Sequence, residues 1–305
     1  MSAPAGVERD YPLSRLTTVR AGGSAAYFAR PSSDREVVEL LAWAEKDGLP
    51  VGVVGSGSNL LVSDEGFEGL VMKLGKELTA IERHGTEVVC GGGARLPSAA
   101  ARAADWGLAG LEFGVNIPGT VGGAVRMNAN AYGGELGKVL EAVTVCTAGG
   151  SESRRPGELG LRYRGSDLGD REVITGATFA LSESNPADVK GTMAEMRRRR
   201  KEAQPSGIKT FGSTFMNPDD PRAEGRSAGQ LLEDAGCRGL AVGGARLSLK
   251  HANFVENTGK ATTADILGVM AAARRKVFER SGVVLEPEVQ ILGEVSWPED
   301  WQLAS

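Results

Sequence analysis

The chain has 305 residues, which is enough for about two domains with a substantial core. Its 35 lysines and arginines and 39 acidic residues give a net charge of −4. This balance argues against a dedicated nucleic-acid or anionic-membrane binder, because such proteins need a basic surplus to displace counterions. Glycine accounts for 43 residues, about twice the usual share of ~7%, so many turns and close backbone approaches are expected.

Cysteine and histidine usage restricts the classes further. The three cysteines, Cys90, Cys146 and Cys237, have no C-x-x-C spacing, which argues against a disulfide scaffold and a zinc knuckle. Only His84 and His251 are present, so no histidine-rich metal site is expected. Because no secretion signal and no run of 18 apolar residues is visible, we expect a cytoplasmic protein with reduced thiols and no membrane association.

The first half of the chain predicts alternating helices and strands. A helix over 33–47 begins at a capping box of Ser33 and Glu36 and ends at Gly48. Its apolar face comprises Val37, Leu40, Leu41 and Ala44. Strands are expected at 51–54 and 70–74, a hairpin turning at His84–Gly85 at 79–90, and a small helix between Pro97 and Gly107.

The second half predicts longer elements. Strands are expected at 142–146, 172–181 and 283–292, and helices from Asn185–Pro186 to Ala203 and over 263–281. The first helix turns Val189, Met193 and Met196 inward, and the second turns Ile266, Met270, Ala273 and Val277 inward. A linker rich in Pro, Gly and Ser at 203–210 separates a larger N-terminal region from a C-terminal one of about 90 residues.

Three short motifs are present only in part. Gly55-x-Gly57 follows a strand, but Leu60 occupies the third glycine position, which argues against a Rossmann turn. Ser227 in a G-x-S-x-G segment has no buried strand before it, and its spacing to Gln230 indicates a helix cap. The basic run 197–201 indicates a solvated helix end, with an anion-binding site as the alternative.

Glycine-rich segments at 53–64, 91–95 and 114–137 favour a binding function. Each offers small residues and main-chain N–H groups, and a flat ligand can lie against backbone only where side chains are absent. The three segments together predict a large cofactor held mainly by main chain, with ordinary tight turns as the alternative.

Six segments carry a resemblance to a known family. They are VGSGSNLLVSD, IPGTVGGAV with NANAYGGEL, RYRGSDL (162–168), TFGSTFMNP (210–218), the segment 229–257 and LEPEVQILG (285–293). In this order, over about 15–295, the chain resembles the vanillyl-alcohol-oxidase-like flavoproteins and, within them, the UDP-N-acetylenolpyruvoylglucosamine reductase (MurB) family. The resemblance implies an α+β fold with a two-part FAD-binding region, 1–75 and 76–202, and a substrate domain at 203–305. The last strand and tail are candidates to pack back on the FAD region.

The resemblance also implies an activity. It is the NADPH-dependent, FAD-mediated reduction of UDP-N-acetylglucosamine enolpyruvate to UDP-N-acetylmuramate, a step of peptidoglycan precursor synthesis. Non-covalent FAD is expected because neither His84 nor any cysteine lies in the flavin loops, and a monomer is expected. The short stretch from Arg164 to Ser213 is similar to the subtype that lacks an inserted, substrate-closing tyrosine. The implied FAD contacts are Gly55, Ser56, Gly57, Ser58, Asn59, Leu60, Gly92, Ile117, Pro118, Gly119, Thr120, Gly122, Gly123, Ala124, Asn128, Ala129 and Ala131.

The resemblance assigns catalysis to three residues. Arg164 is expected to hold the substrate carboxylate as charge develops on it, Ser213 to donate the proton, and Glu288 to act as the third group. Glu288 is either protonated or orients a water molecule or the serine. Substrate contacts are expected from Tyr163, Asn217, Lys250, His251 and Asn253. Met216 and Ala203 depart from the polar residues usual in the family at these positions.

Three other functions stay open on sequence grounds. One is another FAD oxidoreductase of this fold, acting on a hydroxy acid or a sugar, although the segments at 210–218 and 285–293 argue against it. Another is a serine esterase built from Ser227, Asp234 and His251. The last is a non-enzymatic flavin sensor, which would bind FAD without turning over NADPH.

Overall fold

A computed structural model describes residues 3–302 of the chain. They form two compact units. The first unit consists of the segments up to Asp10, Ala26–Ser56 and Glu68–Arg200. The second consists of Tyr11–Ala25, Gly57–Phe67 and the chain from Lys201 onward.

The helices of both units are, in chain order, α1 (Asp34–Lys46), α2 (Leu96–Asp105), α3 (Val121–Arg126), α4 (Pro186–Ala203), α5 (Ala228–Asp234), α6 (Thr263–Ser281) and α7 (Glu299–Gln302). Among the helices within 3–302, none combines the length and apolar character needed to cross a bilayer.

The strands are, in chain order, β1 (Glu8–Pro12), β2 (Ser24–Ala29), β3 (Val51–Val53), β4 (Leu60–Val62), β5 (Phe67–Met72), β6 (Ile81–His84), β7 (Glu87–Gly91), β8 (Leu108–Ala109), β9 (Asn130–Ala131), β10 (Gly134–Glu135), β11 (Leu140–Thr147), β12 (Gly150–Arg154), β13 (Val173–Ala180), β14 (Ser182–Glu183), β15 (Ala241–Val242), β16 (Ala245–Leu247), β17 (Val255–Asn257) and β18 (Gln290–Leu292).

The first unit is built on two sheets. An antiparallel sheet has the order β12-β11-β13-β7-β6, and most of a second sheet, ordered β1-β2-β5-β3, also lies in this unit. Helix α2 packs its alanines, Ala99, Ala100, Ala103 and Ala104, into the core with Phe113 and Phe179. These small side chains let the helix backbone approach its neighbours closely, as expected for a chain poor in aromatic residues.

The second unit packs α6 against the sheet β15-β16-β17, and α5 packs against α6. Its core includes Phe211, Phe215 and the apolar face of α6. Strand β18 pairs in parallel with β4, so residues 290–292 join the second half of the first glycine loop (53–64) within this unit. The unit boundary after Arg200 lies close to the expected boundary at 202, whereas the segments 11–25 and 57–67 group with the C-terminal region instead of with 1–75.

The helix predictions are confirmed. Helix α1 buries the predicted face, and the Ser33 hydroxyl accepts a hydrogen bond from the main-chain N–H of Glu36. The Glu36 carboxylate, however, accepts from the main-chain N–H of Ser32 at 2.7 Å, so the reciprocal arm of the expected capping box reaches one residue further back. Helices α4 and α6 occupy the predicted ranges and bury Val189, Met193 and the α6 face.

The strand prediction for 283–292 is wrong in length. Only β18, at Gln290–Leu292, is a strand, although the predicted inward residues Leu285 and Val289 are buried. Pro287 has no N–H to donate to a ladder and forms a single isolated bridge with Phe215. The hairpin at 79–90 is confirmed, but its turn is one residue later than predicted, because His84 pairs with Glu87 and leaves Gly85 and Thr86 as the turn.

Candidate active site

The first glycine loop leaves β3 in the first unit and packs closely on the longer, second glycine-rich segment at 114–137. A Cβ atom on Gly55 would lie 2.3 Å from the Thr120 Oγ1, so only glycine allows this approach. The Lys73 ammonium donates a hydrogen bond to the Gly55 carbonyl. Burial lowers the pKa of Lys73, and the nearby charges of Arg30 and Arg95 lower it further. Three basic side chains, Lys73, Arg30 and Arg95, therefore lie near this part of the loop.

Two glycines of the predicted cofactor site, Gly92 and Gly122, are buried inside the first unit. The Gly122 N–H donates to the Gly92 carbonyl at 2.8 Å. A Cβ on Gly92 would lie 2.1 Å from the Ile174 carbonyl oxygen, and one on Gly122 would lie 2.9 Å from it. Their glycine character therefore sets the path of the loops against β13. Ala124 and Ala129 are buried too.

Gly119 and Gly123 have the opposite surroundings. A Cβ on Gly119 would meet no heavy atom closer than the Ile117 Cγ2 at 4.0 Å, and one on Gly123 would stay 3.5 Å from the Thr120 Oγ1. Gly123 is exposed, and Thr120 caps α3 by accepting from its N–H. These two residues leave a stretch of main chain open to a flat ligand.

The first loop also supplies donors for an anionic cofactor. Within residues 3–302, no group accepts a hydrogen bond from the main-chain N–H of Ser56 or Gly57. Free N–H groups on a glycine loop with cations beside it suit a diphosphate. The open main chain at Gly119 and Gly123 suits a flat ring or sugar. The residues of this region therefore fit FAD.

Asn128 stabilises the second glycine-rich segment from inside. Its side-chain N–H donates to the Glu135 carboxylate at 2.8 Å, and its oxygen accepts from the Gly137 N–H at 3.0 Å. The residue is 2% exposed and has a φ of +38°. This side chain is committed to the loop itself. Ile117 and Ala131 are half-buried, and Pro118 is exposed.

Arg164 lies in a tight turn of the first unit. A bridge between Arg162 and Gly165 closes the turn, and Arg164 has a φ of +57°. Its guanidinium donates to the Asn130 side-chain oxygen at 2.9 Å and lies 5.0 Å from the ring centre of Tyr163, which is 49% exposed. The turn and these two neighbours fix the direction of the guanidinium.

Ser213 and Glu288 lie on paired segments of the second unit. Ser213 forms an isolated bridge with Phe254. The Glu288 N–H donates to the Thr214 carbonyl at 2.9 Å, and the Met216 N–H donates to the Glu286 carbonyl at 2.9 Å. Both predicted catalytic side chains are half-buried. The pairing fixes the register of 213–216 against 286–288.

The second half of the first glycine loop belongs to the same unit and meets this pair. The Asn59 side-chain N–H donates to the Glu288 carbonyl at 3.1 Å, and the Asn59 carbonyl accepts from the Gln290 N–H at 3.1 Å. A Cβ on Gly212 would lie 3.5 Å from the Ser58 carbonyl oxygen. The second unit therefore brings part of the predicted cofactor loop, including Leu60 at the start of β4, to the neighbours of Ser213 and Glu288.

Four of the five predicted substrate residues use their side chains within the second unit. Asn253 both donates to the Phe215 carbonyl and accepts from its N–H, each at 2.9 Å. The Asn217 oxygen accepts from the Ala228 N–H, and the Lys250 ammonium donates to the Lys201 carbonyl. His251 accepts from the Asn253 N–H at 3.2 Å. A role for these residues in substrate binding stays a prediction.

The surroundings of His251 lower its pKa. Its ring lies 5.0 Å from that of Phe254, and a Cβ on Gly229 would lie 2.6 Å from the His251 Cε1. Burial lowers the pKa of His251, partly opposed by the attraction of Glu233. Burial therefore favours the neutral form of the imidazole. The two departures from the family pattern differ in setting, since Met216 is half-buried and Ala203 is exposed at the end of α4.

The helix-cap interpretation of Ser227 is confirmed. Its hydroxyl accepts from the Gln230 N–H at the start of α5, and the Gln230 side chain accepts from the Ser227 N–H in return. Asp234 forms an ion pair with Arg226 at 3.2 Å. These partnerships do not supply the relay of an esterase, in which the acid must orient the histidine.

Three of the five basic residues at 197–201, near the end of α4, have protein partners. Arg198 and Arg199 both pair with Glu195, and Arg200 donates to the Asn116 carbonyl.

All three cysteines are free and buried. Burial raises the pKa of Cys90 to about 12 and that of Cys237 to about 11, so neither is a reactive thiol. Across residues 3–302, no cluster of three or more His, Cys, Asp or Glu side chains is placed to hold a metal ion.

Two residues near the predicted site were not found from the sequence. Lys73 follows β5, and the parallel pairing of Val53 with Met72 places it beside the first glycine loop. Asn130, next to Ala131 in the second segment, orients Arg164. A lysine directly after an apolar strand was a usable signal for Lys73. Nothing local marks Asn130, because its partner is 34 residues away.

Comparisons with known proteins agree with this geometry. A family model described as an FAD binding domain matches residues 25–154, and the C-terminal domain model of UDP-N-acetylenolpyruvoylglucosamine reductase matches residues 204–292. The α+β class, with an FAD-binding region followed by a C-terminal domain of this reductase type, is therefore confirmed.

Similar proteins cover nearly the whole chain. UDP-N-acetylenolpyruvoylglucosamine reductase 2 of Symbiobacterium thermophilum is 43% identical over 96% of this chain and 94% of its own length. The reductase of Listeria monocytogenes is 38% identical over 94% of this chain and 95% of its own. The crystal structure of the reductase (MurB) from Thermus caldophilus matches with a TM-score of 0.81 and 37% identity, over 94% of this chain and 99% of that one. The chain belongs to the UDP-N-acetylenolpyruvoylglucosamine reductase family.

Proposed function

We propose that the protein reduces UDP-N-acetylglucosamine enolpyruvate to UDP-N-acetylmuramate with electrons from NADPH. Membership of the reductase family supports the substrate class. The observation that carries the proposal is the placement of Ser213 and Glu288 beside Ser58 and Asn59 in the second unit. A proton donor next to a cofactor loop is what reduction of a carbon–carbon double bond requires, since hydride and proton must reach neighbouring carbons.

The FAD site is proposed to use main chain for its contacts. Ser56 and Gly57 offer N–H groups to the diphosphate, and Gly119 and Gly123 offer open backbone. Gly55, Gly92, Gly122 and Asn128 act by holding the two loops in these paths. When bound, FAD supplies a two-electron relay between NADPH and the enolpyruvyl group. Neither histidine lies in these loops, so non-covalent binding is expected.

Arg164 is proposed to bind the substrate carboxylate. Addition of a hydride to the terminal carbon of the enolpyruvyl group places negative charge on the carbon next to that carboxylate. A fixed guanidinium stabilises the resulting enolate more than the starting carboxylate, because the charge on the oxygens increases. The hydrogen bond to Asn130 and the ring of Tyr163 hold the guanidinium before substrate arrives, which reduces reorganisation.

Ser213 is proposed to deliver the proton to that carbon. A serine hydroxyl is a weak acid, but the enolate carbon is strongly basic, so transfer needs position more than acidity. The bridge to Phe254 and the neighbouring pair Thr214–Glu288 supply that position. Glu288 fits two roles, as a protonated neighbour of the substrate carboxylate or as a group that orients Ser213. A pH profile of the Glu288→Gln variant distinguishes them, since a glutamine replaces only the protonated form.

The chain between Arg164 and Ser213 is consistent with the subtype that lacks the inserted tyrosine. Strands β13 and β14 and helix α4 are the regular elements described between Arg164 and Ser213. We propose that no inserted tyrosine closes over the substrate. Monomeric state and cytoplasmic location stay predictions, which light scattering and cell fractionation test.

Spectroscopy of the purified protein tests the proposed function. The oxidised protein is expected to show flavin bands that bleach on anaerobic addition of NADPH and return on addition of the enolpyruvyl nucleotide. A protein that stays colourless when FAD is supplied would overturn the flavin assignment. A protein that bleaches but is not reoxidised by this nucleotide would overturn the substrate assignment and favour another oxidoreductase of this fold.

A further inference from the structure

Residues 295–302 contain an aromatic cluster that lies beyond the matched C-terminal domain model. The matched C-terminal domain stops at residue 292. Beyond it, Trp297 and Trp301 stack with ring centres 3.9 Å apart, and Trp301 stacks on Phe215 at 6.5 Å with an interplanar angle of 15°. We call residues 295–302 the C-terminal clasp. It lies against α6 and the core of the second unit.

Arg274 of α6 joins this clasp to the segment that carries Glu288. Its side chain is buried, with an exposed fraction of 4% for the residue. The guanidinium lies 4.4 Å from the ring centre of Trp301 and donates to the Trp301 carbonyl. It also donates to the Leu285 carbonyl at 2.9 Å and approaches the Glu286 carboxylate at 3.4 Å. One buried cation thus holds both the clasp and residues 285–286.

A buried arginine is costly unless its hydrogen bonds and charge are satisfied. Here the partners are two main-chain carbonyls, one carboxylate and one aromatic face. Such an arrangement favours a fixed position of the chain at Leu285 and Glu286, because a shift of either would remove one of the partners of the buried guanidinium. A lysine has a point charge without the planar fork, so it cannot reproduce this set of contacts.

The fixed segment is the partner of the segment with Ser213. The Glu286 carbonyl accepts from the Met216 N–H, and Phe215 bridges to Pro287. The Trp301 ring also stacks on the Phe215 ring. The chain of contacts therefore runs from Arg274 through 285–287 to 214–216, and it ends one residue from each of the two proposed catalytic groups.

We propose that Arg274, covered by Trp301, is a positioning residue that sets the register of Ser213 relative to Glu288. The inference rests on the proposed function of those two residues, and it adds a role for the C-terminal clasp. Displacement of a catalytic group by about 1 Å is enough to cost ~100-fold in rate. Loss of the clasp is therefore expected to slow proton delivery without preventing FAD binding or its reduction.

Variants of the full-length, FAD-loaded protein test this role. Arg274→Lys and Trp301→Ala are expected to slow anaerobic reoxidation by the enolpyruvyl nucleotide at least about tenfold, and to leave bleaching by NADPH within about twofold of the parent. Trp301→Phe keeps a ring over the guanidinium and is expected to restore most of the rate. Arg280→Gln, an exposed change on the same helix, is the matched control and is expected to leave both rates unchanged.

Hydrogen exchange gives a second readout that does not depend on activity. Peptides that cover 213–216 and 285–288 are expected to exchange faster in Arg274→Lys and Trp301→Ala, while peptides of the β11–β13 sheet keep the parent rate. Equal slowing of bleaching and reoxidation, or unchanged exchange at 213–216, would overturn the proposal. If the parent is not reoxidised by this nucleotide, the proposed function fails, whereas the exchange result still decides whether Arg274 fixes the paired segments.

Discussion

Asn59 donates its side-chain amide to the main-chain carbonyl of Glu288 at 3.1 Å. This bond joins two parts of the chain that are 229 residues apart. It joins the first glycine loop to the segment that carries Glu288, which precedes β18. The second unit therefore carries part of the proposed cofactor loop together with the proposed proton donor.

Two glycine substitutions separate folding from cofactor binding. Gly57 has a φ of +64°, and a Cβ there would lie 2.0 Å from the Leu16 carbonyl oxygen. Gly57→Ala is therefore expected to destabilise the fold by more than about 1–2 kcal/mol. Gly119→Ala meets open space, so the thermal midpoint of the apoprotein should not change, whereas its Kd for FAD should rise about tenfold, or ~1.4 kcal/mol.

Thermal unfolding of the apoproteins and FAD titration followed by flavin fluorescence measure the two effects. Gly207→Ala, on the linker where no heavy atom lies within 4 Å of the added Cβ, is a control for a glycine with positive φ away from the loops. An unchanged affinity of Gly119→Ala for FAD would show that this backbone does not face the cofactor.

Arg164→Lys tests the carboxylate site. Lysine keeps the charge but loses the planar fork and the directed bond to Asn130, so the rate of flavin reoxidation by the nucleotide should fall about 100-fold. Bleaching by NADPH should stay near the parent rate, because the substrate carboxylate is absent from that step. Arg162→Lys in the same turn, where the side chain is exposed and paired with Asp167, is the matched control. Parent-like reoxidation of Arg164→Lys would remove this residue from the proposed mechanism.

Asn253 is expected to act on stability. The Asn253 side-chain amide hydrogen-bonds both the N–H and the carbonyl of Phe215, as a neighbouring strand would. Asn253 is 5% exposed. Asn253→Ala leaves two buried main-chain groups unsatisfied, at about 1–3 kcal/mol for each. Denaturant unfolding should show this loss, while Asn217→Ala, at an exposed position, should cost much less. A small loss for Asn253→Ala would favour a substrate role over a structural one.

His251 predicts the direction of a pH effect on stability. Burial holds its pKa in the folded protein below the ordinary value of 6.5. The unfolded chain therefore binds the proton more readily, and the folded state loses stability as pH falls below 6.5 toward the lower folded pKa. The free energy of unfolding of His251→Gln should fall less than that of the parent between neutral and mildly acidic pH. Parallel curves for the two proteins would contradict the assignment.

Helices and strands are predictable from the sequence where local signals determine the structure. Helix α1 has a capping serine, a periodic apolar face and a closing glycine, so both its ends were predictable. Strand 283–292 was overestimated because alternation of apolar and polar residues persists through Pro287, where ladder pairing cannot. Alternation of apolar and polar residues indicates that one side of the segment is buried, and Leu285 and Val289 are buried.

The site was predictable only in part, for a physical reason. Family resemblance located Arg164, Ser213 and Glu288, but periodicity and spacing alone do not. The contacts that position them come from distant segments, such as Asn130 for Arg164 and Arg274 for the neighbours of Glu288. The glycine segments illustrate the same limit. Their composition indicated close backbone approach, yet only the structure separates Gly92, which packs on protein, from Gly119, which is open.

Anaerobic mixing of the NADPH-reduced Ser213→Ala variant with the enolpyruvyl nucleotide tests the central claim most directly. Removal of the proton donor should slow flavin reoxidation at least about 100-fold relative to the parent, because general acid catalysis contributes typically 10²–10⁴-fold. Bleaching by NADPH and the affinity for FAD should be unchanged. Reoxidation at the parent rate would contradict the assignment of Ser213, and with it the proposal that the second unit delivers the proton beside the cofactor loop.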